Sequence, residues 1–157
     1  MHSKVKLKQV GSYSFQQMIG KGKYAEVYRC VDMQTKKHYA VKKLDRIGIR
    51  PSHLRNISNE ITILEKIKHR NVVQLYDRMK SDNNFYLVLD YCNGGDLNDY
   101  IKLVGAIPEA VARLIVKQLC EGMSHIASLC ILHRDLKAAN IFLHFPEREN
   151  EIDVITN

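Results

Sequence analysis

No stretch of this chain is apolar for the ~18 to 20 residues that a bilayer-spanning helix needs. The N-terminal MHSKVKLKQVGSYSF shows no continuous apolar stretch behind its lysines. Neither a transmembrane segment nor a secretory leader is expected. Cysteine is scarce: Cys30, Cys92, Cys120 and Cys130 form no CxxC pair and no His–Cys cluster with zinc spacing. Free thiols in a reducing compartment follow, with the cytosol as the expected location. Acidic residues number 17 against 24 lysines and arginines, a net charge of +7. The basic residues are scattered, and no basic ribbon interleaved with aromatics resembles an RNA-recognition strand. A nucleic-acid partner is therefore not expected. Internal repeats and low-complexity tracts are also absent.

What the 157 residues do contain, at 45% apolar, suffices for one domain or two small lobes. Residues 1–12 are polar and basic and read as a lead-in. Tyr13, Phe15, Met18 and Ile19 lead a strand into Gly20 and Gly22. Alternation predicts further strands at 24–31 and 37–44. After a loop with Gly48 and Pro51, Leu54, Ile57, Ile61, Leu64 and Ile67 recur at steps of three and four, as on an amphipathic helix. Strands are predicted at 72–76 and 85–89, with a turn at 81–84. Residues 92–95, CNGG, break the pattern and suit a junction between lobes. Beyond them lie a short helix at 96–104 and a longer one opened by Pro108 and Glu109. Val111, Leu114, Ile115, Leu119, Met123 and Ile126 give the longer helix a buried stripe. A loop at 133–140 and a strand at 141–144 follow. The order is β-rich first and α-rich second.

Four segments carry chemistry. Residues 20–27 read GKGKYAEV. Backbone at glycine can approach phosphate oxygens because no Cβ intervenes. A dinucleotide-binding loop would open a helix, whereas Glu26 to Arg29 alternate like a strand. A plain β-hairpin is the bland alternative. In AVKK, period two puts Lys42 beside Ala40 on a crowded face, where a lysine needs an anion unless it reaches an edge. Glu60 lies inside the helical stripe, where a carboxylate is costly unless paired, so Lys42 is its candidate partner. At 86–97, YLVLDYCNGGDL, an exposed backbone could bond a purine edge and Asp96 a ribose hydroxyl. Asp96 equally suits a helix N-cap. In HRDLKAAN, at 133–140, Asp135 can accept a hydroxyl proton, Lys137 can neutralise a transferring phosphoryl group, and Asn140 offers an oxygen to magnesium.

These segments, in this order, resemble the signature set of the eukaryotic protein kinases over residues 13–143. The resemblance implies an α+β fold. A β-rich small lobe with one regulatory helix would occupy 13–91, and the beginning of an α-helical large lobe 92–157. It implies ATP with magnesium as cofactors and a protein serine or threonine hydroxyl as acceptor. Ile19, Val27, Ala40 and Phe142 would sandwich the adenine, with Gly20, Gly22 and Ala25 in the phosphate loop. Leu89 would be the gatekeeper, and the Asp90 carbonyl and Cys92 amide would read the adenine edge. Asp96 would hold the ribose. Lys42, paired with Glu60, would hold the α and β phosphates. Asp135 would be the catalytic base, beside Lys137 and the metal ligand Asn140. Lys137 resembles the serine/threonine kinases, and the segment 86–101 is similar to that of the autophagy-initiating kinases.

The chain departs from the pattern in places. Ala25 stands where a third glycine is usual, and no DFG or APE follows Asn140. The expectation is a kinase domain truncated before DFG, with little or no turnover on its own. Its long helix would lack partners for its stripe, at about 1.5–3 kcal/mol per exposed aliphatic side chain. The competing reading is a catalytically incompetent nucleotide-binding or interaction fragment.

Overall fold

The computed structural model describes residues 9–22, 25–46, 51–146 and 153–156. Gly48 and residues 1–8 of the lead-in lie outside the described residues. The elements run β1 (Gln9–Val10), β2 (Tyr13–Lys21), β3 (Ala25–Asp32), β4 (His38–Asp45), α1 (Pro51–Lys66), β5 (Leu75–Lys80), β6 (Asn84–Asp90), α2 (Leu97–Val104) and α3 (Glu109–Ser128). A 3-10 turn over Ala138–Asn140 leads into β7 (Ile141–His144) and β8 (Asp153–Thr156). This is the α+β order expected of a kinase-like chain. The chain divides into two compact units: one ends at Thr62 and resumes over Leu75–Tyr91, and the other joins Ile63–Gln74 to Cys92 onward.

The first unit is built on a six-stranded antiparallel sheet in the order β1, β2, β3, β4, β6, β5. Residues opposite one another in the ladder share a face. The pairs Cys30 with Tyr39 and Val41 with Val88 put one apolar set together. Phe15, Cys30, Val41, Tyr86 and Val88 form that core, with Val10, Tyr13 and Tyr39 packed against it. Val10 therefore belongs to the sheet, although its surroundings in sequence read as a loose lead-in. Ala40, Leu87 and Leu89 are buried on the opposite face, the face of Lys42. Burial pushes the Cys30 thiol up to about 12, and all four cysteines are free.

One strand sits later than the sequence suggests. The apolar run at 72–76 predicts a strand, yet β5 is Leu75–Lys80, an edge strand whose exposed positions are polar. Val72 and Val73 are instead buried in the second unit, each 4% exposed.

The reason is Asn71, which is 1% exposed. Its Nδ2 donates to Gln118 Oε1 on α3 (3.0 Å) and to the Val154 carbonyl on β8 (2.7 Å). Gln118 Oε1 also accepts from the Val154 amide (2.9 Å). The Asn71 carbonyl accepts from both the amide (2.9 Å) and the hydroxyl (2.7 Å) of Thr156. One residue thus ties the segment 63–74 to α3 and β8. Gly122 completes the joint, because a Cβ there would come within 2.7 Å of the Asn71 carbonyl oxygen.

β8 pairs antiparallel with β7, and Val154 joins Leu97, Ile115, Ile141 and Leu143 in the core of this unit. The stripe of α3 is therefore not left bare as expected: Ile115 and Ile126 are buried, while Leu114 stays 39% exposed. Gly94 donates its amide to the Leu143 carbonyl (2.9 Å), and Phe145 lies where its Cβ would be. α2 is capped by Asp96, whose Oδ1 accepts from the Asp99 amide at 2.9 Å.

Replacing Asn71 tests this joint. Asn71→Ala removes the side-chain donor to the Val154 carbonyl and one of the two donors to Gln118 Oε1, and is expected to lower unfolding free energy by about 2–4 kcal/mol. Asn71→Asp should be worse, since a carboxylate would face two acceptors; urea unfolding monitored by circular dichroism measures both. A pH effect follows from His69, whose Nδ1 accepts from the Asn71 amide (3.1 Å) and whose ring stacks on His125 at 5.0 Å. Burial, followed by the neighbouring His125, lowers the His69 pKa below its usual 6.5. The unfolded chain then binds a proton first, so this contribution is intact above pH 6.5 and is lost as pH falls from there through the folded value. The urea midpoint should decline over that window, and His69→Gln should flatten the decline.

Candidate active site

The glycine segment closes as a β2–β3 hairpin in which the Gly22 amide donates to the Ala25 carbonyl at 2.7 Å. Gly20 pairs with Val27 in the ladder. A Cβ on Gly20 would rest 3.5 Å from Val27 Cβ, and one on Gly22 would be 3.7 Å from the Ala25 carbonyl oxygen, both ordinary contacts. The protein's own packing leaves room for side chains at both positions.

β4 sets Lys42 between Val27 on β3 and Leu87 on β6, on the face of Ala40 and Leu89. Its Nζ meets Glu60 Oε1 of α1 at 2.9 Å, so the two residues singled out in sequence do come together. The carboxylate is not buried as the helical stripe suggests: the two side chains are 27% and 52% exposed. An ion pair this open contributes about 0–1 kcal/mol to stability. Its effect is to aim the lysine. Lys43, on the other face, is taken by Glu26 at 2.9 Å. That contact and the Tyr28 hydroxyl keep the Glu26 carboxyl below its usual range.

Ile19 is 46% exposed near the end of β2. Asp90 ends β6 and carries the Tyr76 hydroxyl on its Oδ1 at 2.8 Å; Cys92 follows outside any strand.

In the second unit, Asp135 gathers the catalytic-loop groups. Lys137 Nζ lies 2.9 Å from each Asp135 carboxylate oxygen, and Asn140 Nδ2 donates to Oδ2 at 2.9 Å and to the Asp135 carbonyl at 2.8 Å. Lys137 first, then Asn140, holds the Asp135 carboxyl below its usual range. It is therefore an ionised acceptor at neutral pH. His133 serves as a support, its Nδ1 accepting from the Asp135 amide at 3.3 Å. Arg134 between them has φ 66°, a left-handed backbone uncommon for a side chain of its size. Nothing in the sequence signals that strain, since arginine has no preference for the region. The contacts of Lys137 and Asn140 follow from their spacing, two and five residues after Asp135 across a 3-10 turn.

Asn140 spends its amide hydrogens on Asp135, which leaves Oδ1 as the atom able to meet a cation. Among the described residues no group of three or more His, Cys, Asp or Glu side chains gathers as a metal site. Phe142 lies on β7 between the buried Ile141 and Leu143, so its ring faces away from their core, and its backbone bridges Asp96. Asp96 itself is engaged as the α2 cap.

The protein kinase domain profile matches residues 13–154. The chain is 36% identical over 138 residues to the serine/threonine-protein kinase ATG1a of Arabidopsis thaliana, covering 88% of this chain and 22% of that protein. It is 38% identical over 133 residues to the probable serine/threonine-protein kinase fhkD of Dictyostelium discoideum, covering 83% and 18%. With myosin light chain kinase A of the same organism it is 32% identical over 142 residues, covering 90% and 48%. The chain thus spans about a fifth of the first two relatives. Among its described residues no helix is long and apolar enough to cross a membrane. With the profile spanning most of the chain, and with the glycine hairpin, the Lys42–Glu60 pair and the Asp135 cluster each in place, this chain belongs to the protein kinase family.

Proposed function

We propose that the protein, in its full-length form, transfers the γ-phosphate of ATP to a serine or threonine hydroxyl of a protein substrate in the cytosol. The observation that carries this reading is the Asp135 carboxylate, held ionised between Lys137 and Asn140. An ionised carboxylate on an exposed loop can accept the hydroxyl proton as the acceptor oxygen attacks. Lys137 is then positioned to offset charge on the moving phosphoryl group, and His133 keeps the Asp135 backbone in register.

The residues present fit ATP. At Gly20 and Gly22 no Cβ stands between the backbone and an approaching phosphate oxygen, and among the described residues a Cβ there would make only ordinary contacts. Lys42, aimed by Glu60, takes the α and β phosphates, and Ala25 keeps the hairpin small where a third glycine is usual. In the first unit Ile19, Val27 and Ala40 would supply apolar surface for the adenine, with Leu89 opposite Ala40 in the ladder, and the Asp90 carbonyl would accept from the purine edge. Asp96 keeps one carboxylate oxygen beyond its cap for the ribose. Asn140 Oδ1 would supply one magnesium ligand. When bound, magnesium neutralises charge on the phosphates. The sequence contains no DFG, so the 157-residue chain alone is expected to turn over little or no substrate.

Isothermal titration with ATP and magnesium tests the binding half: Lys42→Ala should weaken affinity about tenfold or more, while Asp135→Asn should leave it near the starting value. In a form of the protein extended through a DFG, Asp135→Asn should cost about 10²–10⁴-fold in phosphotransfer. No ATP binding, or transfer indifferent to Asp135, would sink the reading; binding without transfer in that extended form would favour the incompetent module. The charge model has its own check. Lys137→Ala should raise the Asp135 carboxyl pKa towards the usual carboxylate value, followed by carbon NMR titration.

A further inference from the structure

The sheet face opposite Lys42 carries more tyrosine than its core uses. Tyr13 meets Tyr39 edge-on, with ring centroids 5.8 Å apart and planes at 90°. Tyr39 meets Tyr76 the same way at 5.1 Å and 66°. The row begins half-buried against the Phe15 and Val88 core and ends in solvent, where Tyr76 is 54% exposed. The register irregularity between Leu75 and Asp77 brings Tyr76 out to this face.

Carboxylates border the row. Asp77 is exposed and pairs with Val88, which places it on this face. Asp90 accepts the Tyr76 hydroxyl at 2.8 Å. Asp32 pairs with Tyr13 in the ladder, and the Gln34 amide and Thr35 hydroxyl hold its carboxyl below the usual range. Burial raises the Tyr13 pKa, and the charges of Asp77 and Asp32 raise it further. Among the described residues Lys43 is a cation on this face, and Glu26 pairs with it. On a chain of net charge +7, a negative aromatic strip is a local exception.

We propose that the strip formed by Tyr13, Tyr39 and Tyr76, bordered at its exposed end by Asp77 and Asp90, docks an arginine-bearing peptide segment of a partner protein; Asp32, 8% exposed and bonded within its own turn, adds charge from beneath. A guanidinium lies flat on a tyrosine ring and directs its N–H groups outward in the ring plane. At this strip those N–H groups meet carboxylates. Rigid tyrosines present wide contact area at low entropic cost. An acidic or phosphorylated segment is repelled by the same carboxylates. An uncharged apolar segment would cover Asp77 without pairing it. The proposal does not depend on the phosphotransfer reading.

The test uses the 157-residue chain with two probes, the peptide Ala-Arg-Pro-Ala-Arg-Pro and its Arg→Glu counterpart. The arginine peptide should shift the amide NMR signals of residues 13, 32, 39, 76 and 77, and the glutamate peptide should not. Tyr76→Ala should weaken binding about fivefold or more, Asp77→Asn about threefold, and Tyr76→Phe little, because the ring carries the contact. Unchanged affinity across these variants, shifts confined to other residues, or equal binding of the glutamate peptide would overturn the proposal. So would a concentration-dependent dimer that Tyr76→Ala abolishes, since the occupant would then be a second copy.

Discussion

The buried amide of Asn71 is the constraint on which the second unit depends. An amide with no access to water must find partners for its hydrogens, and each Nδ2 hydrogen bond of Asn71 reaches a different element, Gln118 on α3 and the Val154 carbonyl on β8. A short strand such as β8 has little stability of its own. Here its ladder with β7 is supplemented by Gln118 and by the amide and hydroxyl of Thr156, which donate to the Asn71 carbonyl. With β8 fixed, Val154 closes the core over Ile115, and β7 is held from both ends. The turn that leads into β7 carries Asn140, so the polar joint supports the strand behind the catalytic loop.

The electrostatics of the catalytic loop follow a different rule. Nothing there is deeply buried, and the Lys137–Asp135 pair is mostly exposed. Such pairs contribute little to folding, but they set which atom is charged and where it points. Asp135 could have been a diffuse surface carboxylate. Two donors from its own loop and an amide held against His133 restrict it to one orientation. Lys42 and Glu60 show the same economy in the first unit: an open pair whose geometry matters more than its energy.

Much of this was legible in sequence because it is local. The periodicity of α1, the alternation of β3 and β4, and the spacing within HRDLKAAN each depend on residues within a few positions of one another. What escaped was non-local. β8 is four residues long and opens on Asp153, so only its partner β7 and the distant Asn71 make it a strand. Val72 and Val73 look like β5 until the pull of Asn71 into the other unit is known. Gln118 and Gly122 read as gaps in the apolar stripe of α3, yet they are among its buried residues, one for hydrogen bonding and one for close approach. The Glu60 carboxylate was placed correctly beside Lys42, but periodicity could not tell the edge of a stripe from its centre.

The glycines separate the two kinds of constraint. Gly122 and Gly94 are confined by their own protein, where a Cβ would strike the Asn71 carbonyl in one case and Phe145 in the other. Gly20 and Gly22 meet no such obstacle, and neither adopts a left-handed backbone. A glycine in a strand interior has a cost in chain entropy, so its presence at two unobstructed hairpin positions has no explanation in the fold itself. The phosphate approach proposed above would supply one. The same comparison accounts for Ala25: it pairs with Leu44 inside the ladder, where a small side chain fits the hairpin and a glycine would only weaken the strand.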